Sequence, residues 1–99
     1  MRIAEGSVVA QRFELETRAG VGGMAEVFRA RDRTTGATVA VKILRVSDES
    51  MTTRFEREAV VLARLRHPRL VGYVDHGREA DGQPWIAMEW LTGETLSDR

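Results

Sequence analysis

The stretch ATVAVKILR, residues 37–45, contains the only lysine of the chain. Lys and Arg together number 15, so every other basic position of that set is an arginine. Residues Thr38 to Leu44 are rich in β-branched side chains and read as a strand. Successive side chains of a strand take opposite faces. Val39, Val41 and Ile43 therefore share one face, and Ala40, Lys42 and Leu44 share the other. Both faces are apolar, and a single ammonium interrupts one of them.

A charge of opposite sign lies in the same kind of place further along. Met51 to Leu65 carries Phe55, Ala59, Leu62 and Leu65 at i, i+4, i+7 and i+10, the stripe of an amphipathic helix. His67-Pro68 ends it, because the residue before proline is pushed out of helical geometry. Glu58 sits on the stripe, at i+3 from Phe55. A lone charge taken out of water is costly. A helix packed on the strand, with Lys42 meeting Glu58, removes both costs. The alternative is that Lys42 reaches water from a strand end while Glu58 sits at the margin of the stripe. The choice of lysine adds information. Arginine's planar fork makes it the better structural ion-pair former, whereas an ammonium is a compact point charge suited to a single phosphate oxygen.

Upstream, AGVGGMAEV spans residues 19–27. Gly20 and Gly22 fit the start of G-x-G-x-x-G, with Ala25 at the third glycine position. Glycine lets backbone N–H groups approach phosphates because no Cβ intervenes. The residues alone allow a flexible turn, a dinucleotide-binding turn that opens a helix, or a hairpin folded over a nucleotide with Val27 on its second strand. Met24, Val27, Phe28 and Arg31 have helical spacing, which suits the second reading. Against it, Arg12 to Arg18 alternates Phe13 and Leu15 with Glu14 and Glu16, a strand with one wet face; the first strand of a dinucleotide fold is buried on both. Nor does an acidic residue close a second strand about 20 residues on, where a ribose contact belongs; Lys42 stands there.

The remaining pattern is coarser. Glu26 to Asp32 has an ambiguous period, and Thr34-Thr35-Gly36 is a turn signal. Ser47 to Ser50 is a polar stretch suited to capping the helix. Leu70 to Asp75 and Trp85 to Trp90 read as strands, joined through the hairpin signal Asp81-Gly82, and Thr92-Gly93 breaks the last one. Residues 1–10 read as a short leader. The order β, β, β, α, β, β predicts an α+β fold, a five-stranded antiparallel sheet with one main helix. A chain of 99 residues holds one domain. The net charge is zero and acids interleave the arginines, as in Arg31-Asp32-Arg33 and Glu56-Arg57-Glu58, which argues against a nucleic-acid-binding face. There is no cysteine, hence no disulfide or thiolate metal site, and His67 and His76 lack ligand-spaced partners, so no metal site is expected. No apolar run approaches the ~20 residues of a membrane helix. Glu5 interrupts what would be the apolar region of a signal peptide, and a cytoplasmic location is expected.

Taken together, Gly20-x-Gly22-x-x-Ala25-x-Val27, Val39-Ala40-Val41-Lys42, Arg54-Phe55-x-Arg57-Glu58-Ala59, His67-Pro68 and Met88-Glu89-Trp90-Leu91-x-Gly93 resemble a protein kinase N-terminal lobe in order and spacing. The resemblance is to the bacterial eukaryotic-like Ser/Thr kinases and covers residues 11–99. It implies ATP as ligand. Gly20, Val21, Gly22, Gly23, Met24, Ala25 and Val27 would form the loop over the phosphates. Lys42 would hold the α and β phosphates and pair with Glu58. Val27 and Ala40 would roof the adenine, with Ala19 where a larger aliphatic residue usually closes over it. Met88 would stand at the rear of the pocket, the backbones of Glu89 and Leu91 would bond adenine, and Thr95 would lie near the ribose. Leu62 would join the internal hydrophobic spine, where Tyr73 replaces a smaller aliphatic residue.

The resemblance also implies what these residues do not supply. Neither H-R-D-x-x-x-x-N nor D-F-G occurs among them. The catalytic base, the Mg²⁺ ligands and the protein-substrate platform of the family would lie beyond position 99. The chain alone is expected to transfer no phosphate, and to be marginally stable or to self-associate through exposed apolar residues near the hinge, Trp90 and Leu91 among them. The competing function is a non-catalytic lone lobe that binds nucleotide or a partner kinase.

Overall fold

The computed structural model describes residues 3–22, 25–45, 49–65, 72–79 and 82–90. They form β1 (Val8–Val9), β2 (Phe13–Gly22), β3 (Ala25–Asp32), β4 (Thr38–Leu44), α1 (Glu49–Leu65), β5 (Tyr73–Arg78) and β6 (Pro84–Glu89). The strands make one sheet in the order β1-β2-β3-β4-β6-β5, with every neighbouring pair antiparallel. This is the α+β architecture read from the sequence, with six strands instead of five.

The added strand lies inside the expected leader. Val8 and Val9 pair with Glu14 and Phe13, and Ile3 and Val9 are buried in the core. A strand of two residues is too short to show a period. Its turn is equally silent: Ala10 and Gln11 both take positive φ, 55° and 56°, and the Arg12 N–H donates to the Val9 carbonyl at 3.0 Å. Two left-handed residues in succession suit a hairpin turn that asparagine and glycine usually announce.

Other boundaries move for identifiable reasons. β2 runs past Arg18 to Gly22, because register shifts between Leu15 and Thr17 and between Arg18 and Gly20 leave Glu16 and Ala19 unpaired and erase the alternation. α1 starts at Glu49, ahead of Met51, with an acid in its first turn and Arg64 in its last, both favourable to the helix dipole. β5 covers Tyr73–Arg78, later than the expected Leu70–Asp75, and its C-terminal half is polar. At the β3–β4 turn, Gly36 takes φ +81°, a conformation that a side chain resists, and its N–H donates to the Asp32 carbonyl at 2.7 Å. The expected cap around Ser47, the stop at His67-Pro68, Asp81, and residues from position 91 onward lie outside the described residues.

The two faces of the sheet are buried differently. Val39, Val41 and Ile43 join Phe13, Leu15, Phe28, Ala30, Trp85 and Ala87 in one cluster. Leu44 and Ile86, on the other face, pack against Phe55 and Ala59 of α1. Among the described residues no helix lies over the first face, which is covered by curling. Phe13 and Trp85 are three strands apart and lie in different rows of the ladder, more than about 14 Å apart in a flat sheet, yet their ring centroids lie 5.4 Å apart, edge to face. The two ends of the sheet also meet through side chains. The Ala10 N–H donates to Glu79 Oε1 at 2.8 Å, and Arg12 lies 3.6 Å from Asp75.

Asp32 ties this closure down. Its carboxylate accepts both ends of the Arg12 guanidinium, at 2.9 and 2.7 Å, and the Thr34 N–H at 2.9 Å. The Arg12 bond is the main reason its pKa falls from 3.8 to about 2, against the opposing effect of burial. A depressed folded pKa means stability that is present above the unfolded value and lost as pH falls through the folded one. Asp32→Asn should therefore lower stability by about 1–3 kcal/mol near neutral pH. The gap to the wild type should close as pH falls from about 4 to about 2, read by urea unfolding across that range. At the first hairpin, Val9→Ala should cost on the order of 2 kcal/mol, whereas Val8→Ala, at an exposed position, should stay within about 0.5 kcal/mol. The same urea titration compares them.

Candidate functional site

Strand register brings the expected residues together on the helix-facing side of the sheet. Gly20, Val27, Lys42 and Ile86 lie opposite one another across β2, β3, β4 and β6. Arg29, Ala40 and Met88 form the next row on the same face. Directly opposed residues of an antiparallel ladder share a face, so Val27, Ala40, Lys42 and Met88 converge. Ala40 is fully buried, and the other three are partly exposed.

The glycine-rich stretch is a hairpin. Gly20 pairs with Val27, Val21 with Glu26 and Gly22 with Ala25. Residues 25–32 are strand, which overturns the helix that the dinucleotide reading required. Gly23 and Met24, between the paired ends, lie outside the described residues. Ala19 is an exposed bulge residue, and a bulge bends and twists the strand beyond it. A Cβ added at Gly20 would meet no atom within 4 Å, so no packing inside the chain demands a glycine there.

Lys42 Nζ stands 3.3 Å from Glu58 Oε1. It also lies 5.9 Å from the Phe55 ring centroid, at the outer limit of a cation–π contact. The pairing read from the two stripes is present, and neither partner is buried: the side chains are 31% and 50% exposed. Helix and strand meet at their apolar rows while the charged heads stay in water. Such a pair is worth little to stability. It does hold an ammonium at a fixed place on an otherwise apolar row, with part of its surface free.

At the far end of the same face, Met88 packs against the Leu44, Phe55, Ala59 and Ile86 cluster. The Glu89 N–H is already given to the Gly72 carbonyl at 2.8 Å. A Cβ on Gly72 would sit 2.5 Å from Glu89 Oε1, the end of an exposed, flexible side chain that can move aside. Leu91 and Thr95 lie outside the described residues, as does the side chain of Leu62. Tyr73 turns its hydroxyl to His76 Nδ1 at 2.6 Å. Two surface concavities, of about 450 and 360 Å³, lie elsewhere, beside Arg18, Glu26 and Arg45 and beside Arg12 and Asp32.

One pair on this side has no forerunner in the sequence reading. Glu56 accepts two bonds from the Arg78 guanidinium, at 2.5 and 2.8 Å. That bond, with a smaller contribution from His76, holds the Glu56 carboxyl below its usual range. A helical projection would have marked Glu56 as the mirror of Glu58 about Phe55 and Ala59. Its partner, 22 residues further along on β5, shows only in the fold.

Comparison with known proteins agrees with this geometry. Residues 13–99 match the protein kinase domain family. The serine/threonine-protein kinase pkn3 of Myxococcus xanthus is 40% identical over 94 residues, covering 92% of this chain and 17% of the relative. The DNA damage-responsive serine/threonine-protein kinase RqkA of Deinococcus radiodurans is 42% identical over 99 residues, covering 98% of this chain and 15% of the relative. The crystal structure of the Mycobacterium tuberculosis PknI kinase domain superposes with a TM-score of 0.72 at 33% identity, over 92% of this chain and 38% of that one. The chain thus spans about a sixth of the length of these curated relatives and about two fifths of a solved kinase domain.

The exposure of the Lys42–Glu58 pair fixes what its loss should do. Glu58→Ala should lower unfolding stability by less than about 1 kcal/mol, the range of exposed pairs. A loss of about 3–5 kcal/mol in urea unfolding would instead indicate a buried, desolvated pair.

Proposed function

Because the chain belongs to the protein kinase domain family, we propose that the helix-facing side of its sheet is the ATP-binding side of a Ser/Thr kinase N-terminal lobe. The observation that carries this is the Lys42 ammonium, held 3.3 Å from Glu58 and still partly exposed on a row flanked by the glycine hairpin. A point charge so placed suits the α and β phosphate oxygens of a nucleotide, with Glu58 keeping the side chain extended toward them. The open space at Gly20 fits a backbone that phosphates approach closely.

The rest of the site follows along the face. Val27 and Ala40 roof the adenine, Met88 closes the rear, and Ala19 leaves the outer edge thinly covered. Since the Glu89 N–H is spent on Gly72, an adenine amino group would bond the Glu89 carbonyl. Val21, Gly22, Gly23, Met24 and Ala25 complete the phosphate loop, and Leu91 and Thr95 the adenine and ribose contacts.

In a complete kinase this lobe serves transfer of the γ-phosphoryl of ATP to a protein hydroxyl. Its own share is binding and orientation of the nucleotide. The acids that hold Mg²⁺ and the catalytic base belong to motifs that these 99 residues do not contain. No helix among the described residues is long and apolar enough to cross a membrane, and the proposal places the lobe in the cytoplasm, where ATP is available.

Titration with a fluorescent ATP analogue tests the reading. Lys42→Ala should weaken binding by about tenfold or more, the value of one charge-assisted bond. Gly22→Val should weaken it as well, because a β-branched side chain blocks the approach to phosphate. With radiolabelled ATP and a generic protein substrate, the chain alone should transfer nothing. Equal affinity in the wild type and both variants would refute the phosphate-binding role.

A further inference from the structure

Among the described residues, helix α1 rests on the sheet through an apolar contact of Met51, Phe55 and Ala59 with Leu44, Ile86 and Met88. That contact is non-directional and does little to fix how the helix is rolled about its axis. Two acids flank it. At about 100° per residue, Glu56 and Glu58 project about 80° to either side of the line through Phe55 and Ala59.

Each acid is held by a cation from a different strand. Glu58 meets Lys42 of β4 at 3.3 Å, and Glu56 meets Arg78 at the end of β5, at 2.5 and 2.8 Å. β6 lies between those strands. Among the described residues these are the two ion pairs that tie α1 to the sheet, and they straddle it. A roll that opens one presses on the other.

The two pairs are not equivalent. The Lys42 ammonium makes one contact and imposes no orientation. The Arg78 guanidinium offers a planar fork with both bonds made, which fixes direction as well as distance. His76, two residues earlier on β5, contributes to holding the Glu56 carboxyl below its usual range and is itself bonded to the Tyr73 hydroxyl.

We propose that Arg78, acting through Glu56, is a positioning residue that sets the roll of α1 and thereby the fraction of molecules in which Glu58 holds Lys42. Its consequence for nucleotide binding rests on the function proposed above; the coupling of the two pairs does not.

The lone lysine supplies the test. A carbodiimide activates the Glu58 carboxyl as an O-acylisourea; Lys42 Nζ attacks that carbonyl, loses a proton and expels a urea, leaving one amide bond. Peptide mapping of the treated 99-residue chain then counts Lys42–Glu58 amide without competition from another lysine. Arg78→Ala and Glu56→Gln should each lower the yield about threefold, within the coupling that exposed pairs reach. Arg78→Lys, which keeps the charge and loses the fork, should lower it too. The exchange Glu56→Arg with Arg78→Glu should restore it. Circular dichroism and urea midpoints establish that each variant compared is folded. Wild-type yields in the folded single variants, even with lowered urea midpoints, would mean a merely structural pair and overturn the proposal. An exchanged pair that stays as low as the single variants would overturn it as well. The ATP-analogue titration is run in parallel. A fall in cross-link yield in a chain whose nucleotide affinity is indifferent to Lys42 would uphold the positioning role and refute the phosphate-binding one.

Discussion

A single helix can cover one face of a sheet, and this sheet has two apolar faces. The rest of the structure follows from that mismatch. The uncovered face buries itself by curling until Phe13 and Trp85, on strands that a flat sheet would hold well apart, come edge to face at 5.4 Å. The curl brings the β1–β2 hairpin to β5, where Arg12 and Glu79 join the two ends. Ile3 and Val9 belong to this closure, which is why residues 3–10 are part of the fold.

Closure assigns separate tasks to the two faces. The inner face holds most of the core, with Phe13, Leu15, Phe28, Val41 and Ile43 almost wholly buried. Among the described residues, α1 meets the outer face at Leu44, Ile86 and Met88 through Met51, Phe55 and Ala59, and Val27 and Lys42 on that face stay partly exposed. Stability resides on one side and the proposed site on the other. A charge that would be intolerable in the inner cluster is cheap on the outer rows, because water still reaches it. The weakness of the Lys42–Glu58 pair as a structural contact is therefore compatible with a role for it, since an ammonium locked into a buried pair would not be free to meet a phosphate.

What was legible in the sequence was what a period can carry. The opposed faces of β4, the stripe of α1 at Phe55 and Ala59, and the meeting of Lys42 with Glu58 as one of two readings were legible from spacing. Features shorter than a period, or those that break one, were not legible. β1 has two residues and a turn made by Ala10 and Gln11, neither of which signals a left-handed conformation. Glu16 and Ala19 interrupt β2 as bulges, so its alternation stops well before the strand does. The end of β5 is polar because His76 and Arg78 face Glu56 on the helix, and a strand facing charge does not look like a strand. The burial of the ion pair was illegible for a different reason. A pattern says which row a side chain occupies, whereas its exposure depends on how far the facing helix extends over that row.

The use of arginine everywhere but one place can now be read in the fold. Of the eight ion pairs among the described residues, seven are made by arginine. Arg12 fastens the curl through Asp32, Arg18 and Arg45 converge on the buried Glu26, and Arg78 holds the helix through Glu56. Each of these joins elements that must stay in one relation, and a planar fork with fixed donors suits that task. Lys42 makes the eighth pair, with one contact, half in water. A guanidinium there would bind Glu58 through two bonds and resist giving either up. An ammonium with three rotatable donors can keep one on the carboxylate and turn the others to a second anion. On the proposed function, that sharing is what the position requires, and it explains why the exception falls between Val41 and Ile43 and nowhere else.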